Sequence, residues 1–161
     1  MKSAFRRISI IVLFLCFSLS ADADSPCTDQ IESCQYYRCV SNQLGCKDQD
    51  YFIGFGEKYC KIYLKSESQY SSDGQTFLQT VRRCLKDQIE TNYDDFTCAN
   101  AKSIAISKHV DCYLQSGYCQ LGNEDKSKVF ISALSSILTE PLIIQTGLEV
   151  ERACSMIAID N

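Results

Sequence analysis

Eleven cysteines in 161 residues constrain this chain more than any other feature. Cys16 lies in an apolar stretch near the N-terminus. The other ten, Cys27, Cys34, Cys39, Cys46, Cys60, Cys84, Cys98, Cys112, Cys119 and Cys154, form an even set, enough for five disulfides. A chain that carries such a set must fold in an oxidising compartment, or else use the thiols for metal or catalysis.

The N-terminus selects the first option. Lys2, Arg6 and Arg7 precede a mostly apolar run from Ile8 to Leu19, and Ala21-Asp22-Ala23 offers a small-residue cleavage site. As a helix this run would span only about 18 Å, against a hydrocarbon core of roughly 30 Å. Residues 1–23 are therefore predicted to be a signal peptide and residues 24–161 a single domain. No later stretch approaches about 18 uninterrupted apolar residues, so no membrane span is expected after cleavage. The expected location is secreted and extracellular, with Cys16 removed.

Metal chemistry competes poorly for the remaining cysteines. There is no CxxC, and His109, three residues before Cys112, is the only histidine. Half a site without a second half does not hold zinc. Neither a metal nor another cofactor is expected.

Loss of the leader leaves 138 residues, with 13 basic and 19 acidic side chains. That length suits one domain with its own core. The net charge of −6 argues against nucleic acid and anionic membranes as partners.

Periodicity predicts an all-α, compact, disulfide-stapled domain. Phe77, Val81, Cys84, Leu85 and Ile89 make one stripe on a helix over 74–91, with Ser72 and Gln75 as a capping box. Val129, Phe130, Ala133, Leu134, Ile137 and Leu138 make a second stripe. Residues 94–116 read as one longer helix, and shorter helices are expected near 28–40, 48–65 and 142–157. Pro141 suits the first turn of the last, where its missing N–H costs nothing. Spacing alone does not choose a cysteine pairing.

The intervals do carry a resemblance. From Cys60 onward they are 24, 14, 14, 7 and 35 residues. This ladder resembles that of the stanniocalcins, secreted disulfide-linked glycoprotein hormones. Tyr59-Cys60-Lys61 followed by Leu64 looks like that family's Ile-Cys-Lys-x-Phe-Leu segment. Asp73-Gly74-Gln75-Thr76-Phe77 looks like its Gln-Gly-Lys-x-Phe segment, and Asp111-Cys112-Tyr113 like its Glu-Cys-Tyr segment. The resemblance runs from about Cys27 to Cys154. It implies the pairs Cys27–Cys39, Cys34–Cys60, Cys46–Cys98, Cys84–Cys112 and Cys119–Cys154.

Three departures qualify what the resemblance implies. The family's further cysteine, which links two chains, has no counterpart after Cys154, so a covalent homodimer is not expected while a non-covalent one stays open. Asn42-Gln43-Leu44 stands where the family has a glycosylation sequon, and no sequon occurs elsewhere. The long polar C-terminal tail is absent.

The resemblance implies a hormone-like signalling protein in calcium or phosphate homeostasis, binding an extracellular or cell-surface protein. Inhibition of a secreted metalloproteinase by binding is an alternative from the same family. Another is a small apolar-ligand carrier, since Phe52, Phe55, Tyr59, Tyr63, Phe77, Tyr93 and Phe96 could enclose a ligand; the plainer reading is that these rings fill the core. An enzyme is not expected. His109 would have to serve any triad, and paired cysteines leave no thiol nucleophile. Asp94-Asp95 and Glu124-Asp125 read as helix starts, where acids meet the positive dipole end, rather than as a calcium site. Gly54-Phe55-Gly56 lacks the rest of a nucleotide loop and reads as a chance match or as a kink in the second helix.

Overall fold

The computed structural model describes residues 25–159. The predicted signal peptide, its cleavage site and Cys16 lie outside the described residues. The described residues form seven α-helices, joined by short 3-10 and π-helical turns, and contain no strand. They are α1 (Gln35–Leu44), α2 (Lys58–Ser66), α3 (Ser72–Thr91), α4 (Ala101–Ser107), α5 (His109–Gln115), α6 (Asn123–Ile137) and α7 (Pro141–Ile159). The expected all-α class is what the molecule adopts, and five disulfides staple it.

The longest early element, α3, starts one residue before the predicted capping box. Ser71, with extended backbone, accepts the Gly74 N–H at 3.2 Å through its side chain. The Gln75 amide turns away to the Tyr70 carbonyl at 3.0 Å. Ser71 wins because its hydroxyl is also fixed from outside: it donates to Asp125 at the start of α6. Below the cap, Phe77, Val81 and Ile89 are buried and Cys84 and Leu85 are partly so, as the stripe requires.

The helix expected over 94–116 is broken. A 3-10 turn, Tyr93–Asp95, holds the exposed Asp94 and Asp95, so this acid pair does not begin an α-helix. Further on, Lys108 separates α4 from α5. The Ala105 carbonyl accepts the Lys108 N–H at 3.1 Å and His109 Nδ1–H at 2.9 Å. A side chain competing for that carbonyl tightens the turn and ends the regular i→i−4 ladder.

Before α2, Tyr51–Glu57 winds as a π-helical turn continuous with it. Its glycines have packing reasons. A Cβ on Gly54 would stand 2.8 Å from the Gln49 carbonyl oxygen, and one on Gly56 would stand 2.5 Å from the Tyr37 ring. The wide turn lets the segment lie tightly on α1.

Two apolar clusters make up the interior. One gathers Tyr36, Val40, Phe52, Ile89, Phe96 and Ile106 around α1 and the π-helical turn. The other gathers Tyr63, Phe77, Leu78, Val81, Val129 and Val150 around α3, α6 and α7. α7 packs on α4, α5 and α6, while α2 touches α3 and α6. Ser25 and Thr28 tie the N-terminal segment to Glu90 of α3, Thr28 Oγ1 donating at 2.8 Å.

The stripe of α6 does not become core. Val129 is buried, but Phe130, Leu134 and Leu138 are exposed. Along α7, Leu142, Ile144, Leu148 and Met156 are exposed as well. The amphipathic pattern is present, yet much of its apolar face has no element packed over it.

Candidate functional site

All ten cysteines among the described residues are bonded, as Cys27–Cys39, Cys34–Cys60, Cys46–Cys98, Cys84–Cys112 and Cys119–Cys154. These are the pairs that the stanniocalcin resemblance implies. The first two lock α1, the segment before it and α2. Cys46–Cys98 joins the end of α1 to the loop before α4, Cys84–Cys112 joins α3 to α5, and Cys119–Cys154 fastens α7 to the turn after α5. Each closed loop removes conformational freedom from the unfolded chain, worth on the order of 3–4 kcal/mol in the chain-entropy picture.

Among the described residues, one group of ligand-type atoms converges: Cys46, Asp50 and Cys98, within 4.8 Å of one another. Two of the three sulfur and oxygen donors are spent in a disulfide and offer no thiolate. Asp50 accepts the Lys47 N–H at 2.8 Å. The other acidic pair is also occupied. Glu124 binds Lys128 at 2.7 Å, and buried Asp125 accepts from Ser71.

Where the two apolar clusters meet there is a cavity of about 260 Å³. Tyr37, Tyr51 and Ile106 come to it from one cluster, and Tyr63, Val129 and Val150 from the other. Phe130, Ile144 and Leu148 line it too and are exposed, so it opens between α6 and α7. Of the seven rings weighed as enclosing a ligand, Phe55, Tyr59 and Tyr63 line this space. Phe52, Phe77 and Phe96 are buried core residues, and Tyr93 packs against the first cluster.

The polar atoms on the wall are mostly engaged with one another. Tyr63 and Tyr113 share a hydroxyl–hydroxyl bond of 3.0 Å, and burial raises both phenol pKa values. Tyr118 donates to Glu151 at 2.6 Å. Tyr59 reaches Ser136 near the end of α6. His109 lies in the wall between the rings of Phe55 and Tyr113. Burial lowers its pKa, opposed by the bond that Nδ1–H donates to the Ala105 carbonyl. Among the described residues its hydrogen bond goes to the Ala105 backbone, not to an acid.

Arg82 is different. It lines the cavity and is 13 % exposed, while neighbouring Arg83 is 46 % exposed. Its Nη2 binds Glu67 at 2.6 Å, and its Nη1 is buried without a partner. Nothing in the residue pattern separates two adjacent arginines. Only the packing of α3 turns one inward.

Comparison with protein families, with curated proteins and with solved structures finds no match.

Proposed function

We propose that this chain is an exported, non-enzymatic signalling protein of the stanniocalcin type. It acts by binding an extracellular or cell-surface protein and thereby influences calcium or phosphate handling. The observation that carries this reading is the covalent frame, whose five pairs coincide with those the resemblance implies. Such a frame fits an oxidising compartment, and none of the helices among the described residues is long and apolar enough to cross a membrane. The apolar strip of α6 and α7 provides surface of the kind that marks interaction sites.

The test applies purified, oxidised protein lacking residues 1–23 to epithelial cells and follows calcium and phosphate flux. A dose-dependent change, abolished by prior reduction and alkylation, is the expected result. An unchanged flux of both ions overturns the reading.

A further inference from the structure

We propose that the cavity opening between α6 and α7 binds a slim amphiphile, an apolar body of about ten carbon atoms ending in a carboxylate held by Arg82. This inference goes beyond the signalling role and does not depend on it.

Size comes first. A cavity of about 150 Å³ lined by aliphatic and aromatic groups stays dry and takes benzene. By proportion, 260 Å³ takes about ten carbon atoms. Such a space is large for a flaw in packing, because interiors are close-packed. Its walls are rings and aliphatic chains, so the body of the occupant must be apolar.

Chemistry of the head follows from the polar inventory. Tyr63, Tyr113, Tyr118, Glu151 and His109 already satisfy one another or the backbone. Arg82 is the only arginine or lysine among the described residues that line the cavity, and burial disfavours the charged form of His109. Glu67 uses its Nη2 and also accepts from Gln79 at 2.6 Å, which leaves Nη1 as a buried donor without an acceptor. A buried unpaired donor is costly, and bonds between guanidinium and carboxylate are among the stronger charge-assisted kind.

The entrance also fits a ligand that comes and goes. Phe130, Ile144 and Leu148 are apolar, exposed and at the opening. Gly147 lies among them on α7, and a Cβ built there meets no atom within 4 Å. The opening is therefore free space next to a position that a side chain can fill without a clash.

The experiment measures displacement of anilinonaphthalene sulfonate from the oxidised protein by decanoate and by decan-1-ol, with melting temperatures recorded in parallel. Saturable one-to-one displacement by decanoate in the micromolar range is expected. Gly147→Phe, which plugs the opening, is expected to weaken both ligands at least tenfold with an unchanged melting temperature. Ala133→Phe fills the same space from α6 and serves if Gly147→Phe melts early. Arg82→Gln is expected to weaken decanoate at least tenfold and decanol less than threefold. Non-saturable displacement, or equal binding in wild type and both plugged variants, overturns the site. Equal loss of the two ligands in Arg82→Gln, or loss of neither, overturns the carboxylate assignment.

Discussion

Tyr37 on α1 lies so close to Gly56 that a Cβ on the glycine would stand 2.5 Å from the ring. Both residues line the cavity, so the contact that seats the π-helical turn on α1 also shapes the ligand-sized space. Gly56→Ala must push the ring or the turn aside and is expected to cost about 1–3 kcal/mol. Gly147→Ala, placed in a helix with open space around it, is expected to stabilise by about 0.5–1 kcal/mol. Urea midpoints of the two variants should move in opposite directions. A Gly56→Ala midpoint at or above that of wild type would contradict the contact.

Lys86 is a buried lysine whose amine donates to the Ser33 carbonyl at 3.4 Å. Burial, then the charges of Arg82 and Arg83, lower its pKa to about 8, with Asp87 opposing. The folded value lies below the ordinary value of about 10.4. The unfolded chain thus binds more protons between the two, and this contribution to stability grows as pH rises from about 8 and is lost as pH falls through it. The buried tyrosines work the other way above about pH 10, because their raised folded values favour the protonated phenol. Lys86→Met is therefore expected to raise the melting temperature at pH 7 and to flatten its rise between pH 8 and 10. A wild-type melting temperature that falls throughout that window while Lys86→Met stays level would refute the assignment.

Glu57 is buried at the junction of the π-helical turn and α2, and it binds Arg38 at 2.7 Å and Lys61 at 2.8 Å. Burial by itself would raise its pKa, but the bonds from Lys61 and Arg38 together hold it below the usual carboxylate range. Its contribution is fully present above the unfolded value near 4.3 and disappears as pH falls through the lower folded one. Glu57→Gln is expected to lose about 1–3 kcal/mol at pH 7 and less at pH 3. A loss that is the same at both pH values would argue against an ionised role.

Cys119–Cys154 closes a separation of 35 residues and is the disulfide that holds α7. Replacing both cysteines by serine is expected to cost about 3–4 kcal/mol. Amide exchange should quicken along α7 while α1 stays protected, because Cys27–Cys39 and Cys34–Cys60 are untouched. Uniform deprotection of the whole chain would show that α7 is not a separable unit.

Non-reducing peptide mapping of the oxidised protein should return Cys27 with Cys39, Cys34 with Cys60, Cys46 with Cys98, Cys84 with Cys112, and Cys119 with Cys154. A peptide joining Cys27 to Cys34 would sink the frame and the stanniocalcin reading with it.

Periodicity made the helical class and the α3 stripe legible, because residues spaced by three and four share a helix face wherever the helix sits. It could not see the break at Lys108, which depends on the His109 side chain claiming the Ala105 carbonyl. The cap of α3 fell on Ser71 rather than Ser72 for a similar reason, since Asp125, 54 residues away, holds the hydroxyl. Pairing of the ten cysteines came from resemblance, as their spacing permits many alternatives.

What the chain alone determined is therefore local or arithmetical: an even cysteine set behind a leader-like N-terminus, an acidic balance, and helices with one apolar face. Tertiary structure alone decided what those faces meet. The α6 stripe buries Val129 and exposes Phe130, and Arg82 is nearly buried beside an exposed Arg83. A helix pattern specifies which side chains point the same way, whereas burial depends on whether another element arrives to cover them. Between α6 and α7 none arrives completely, and the space left there is the cavity.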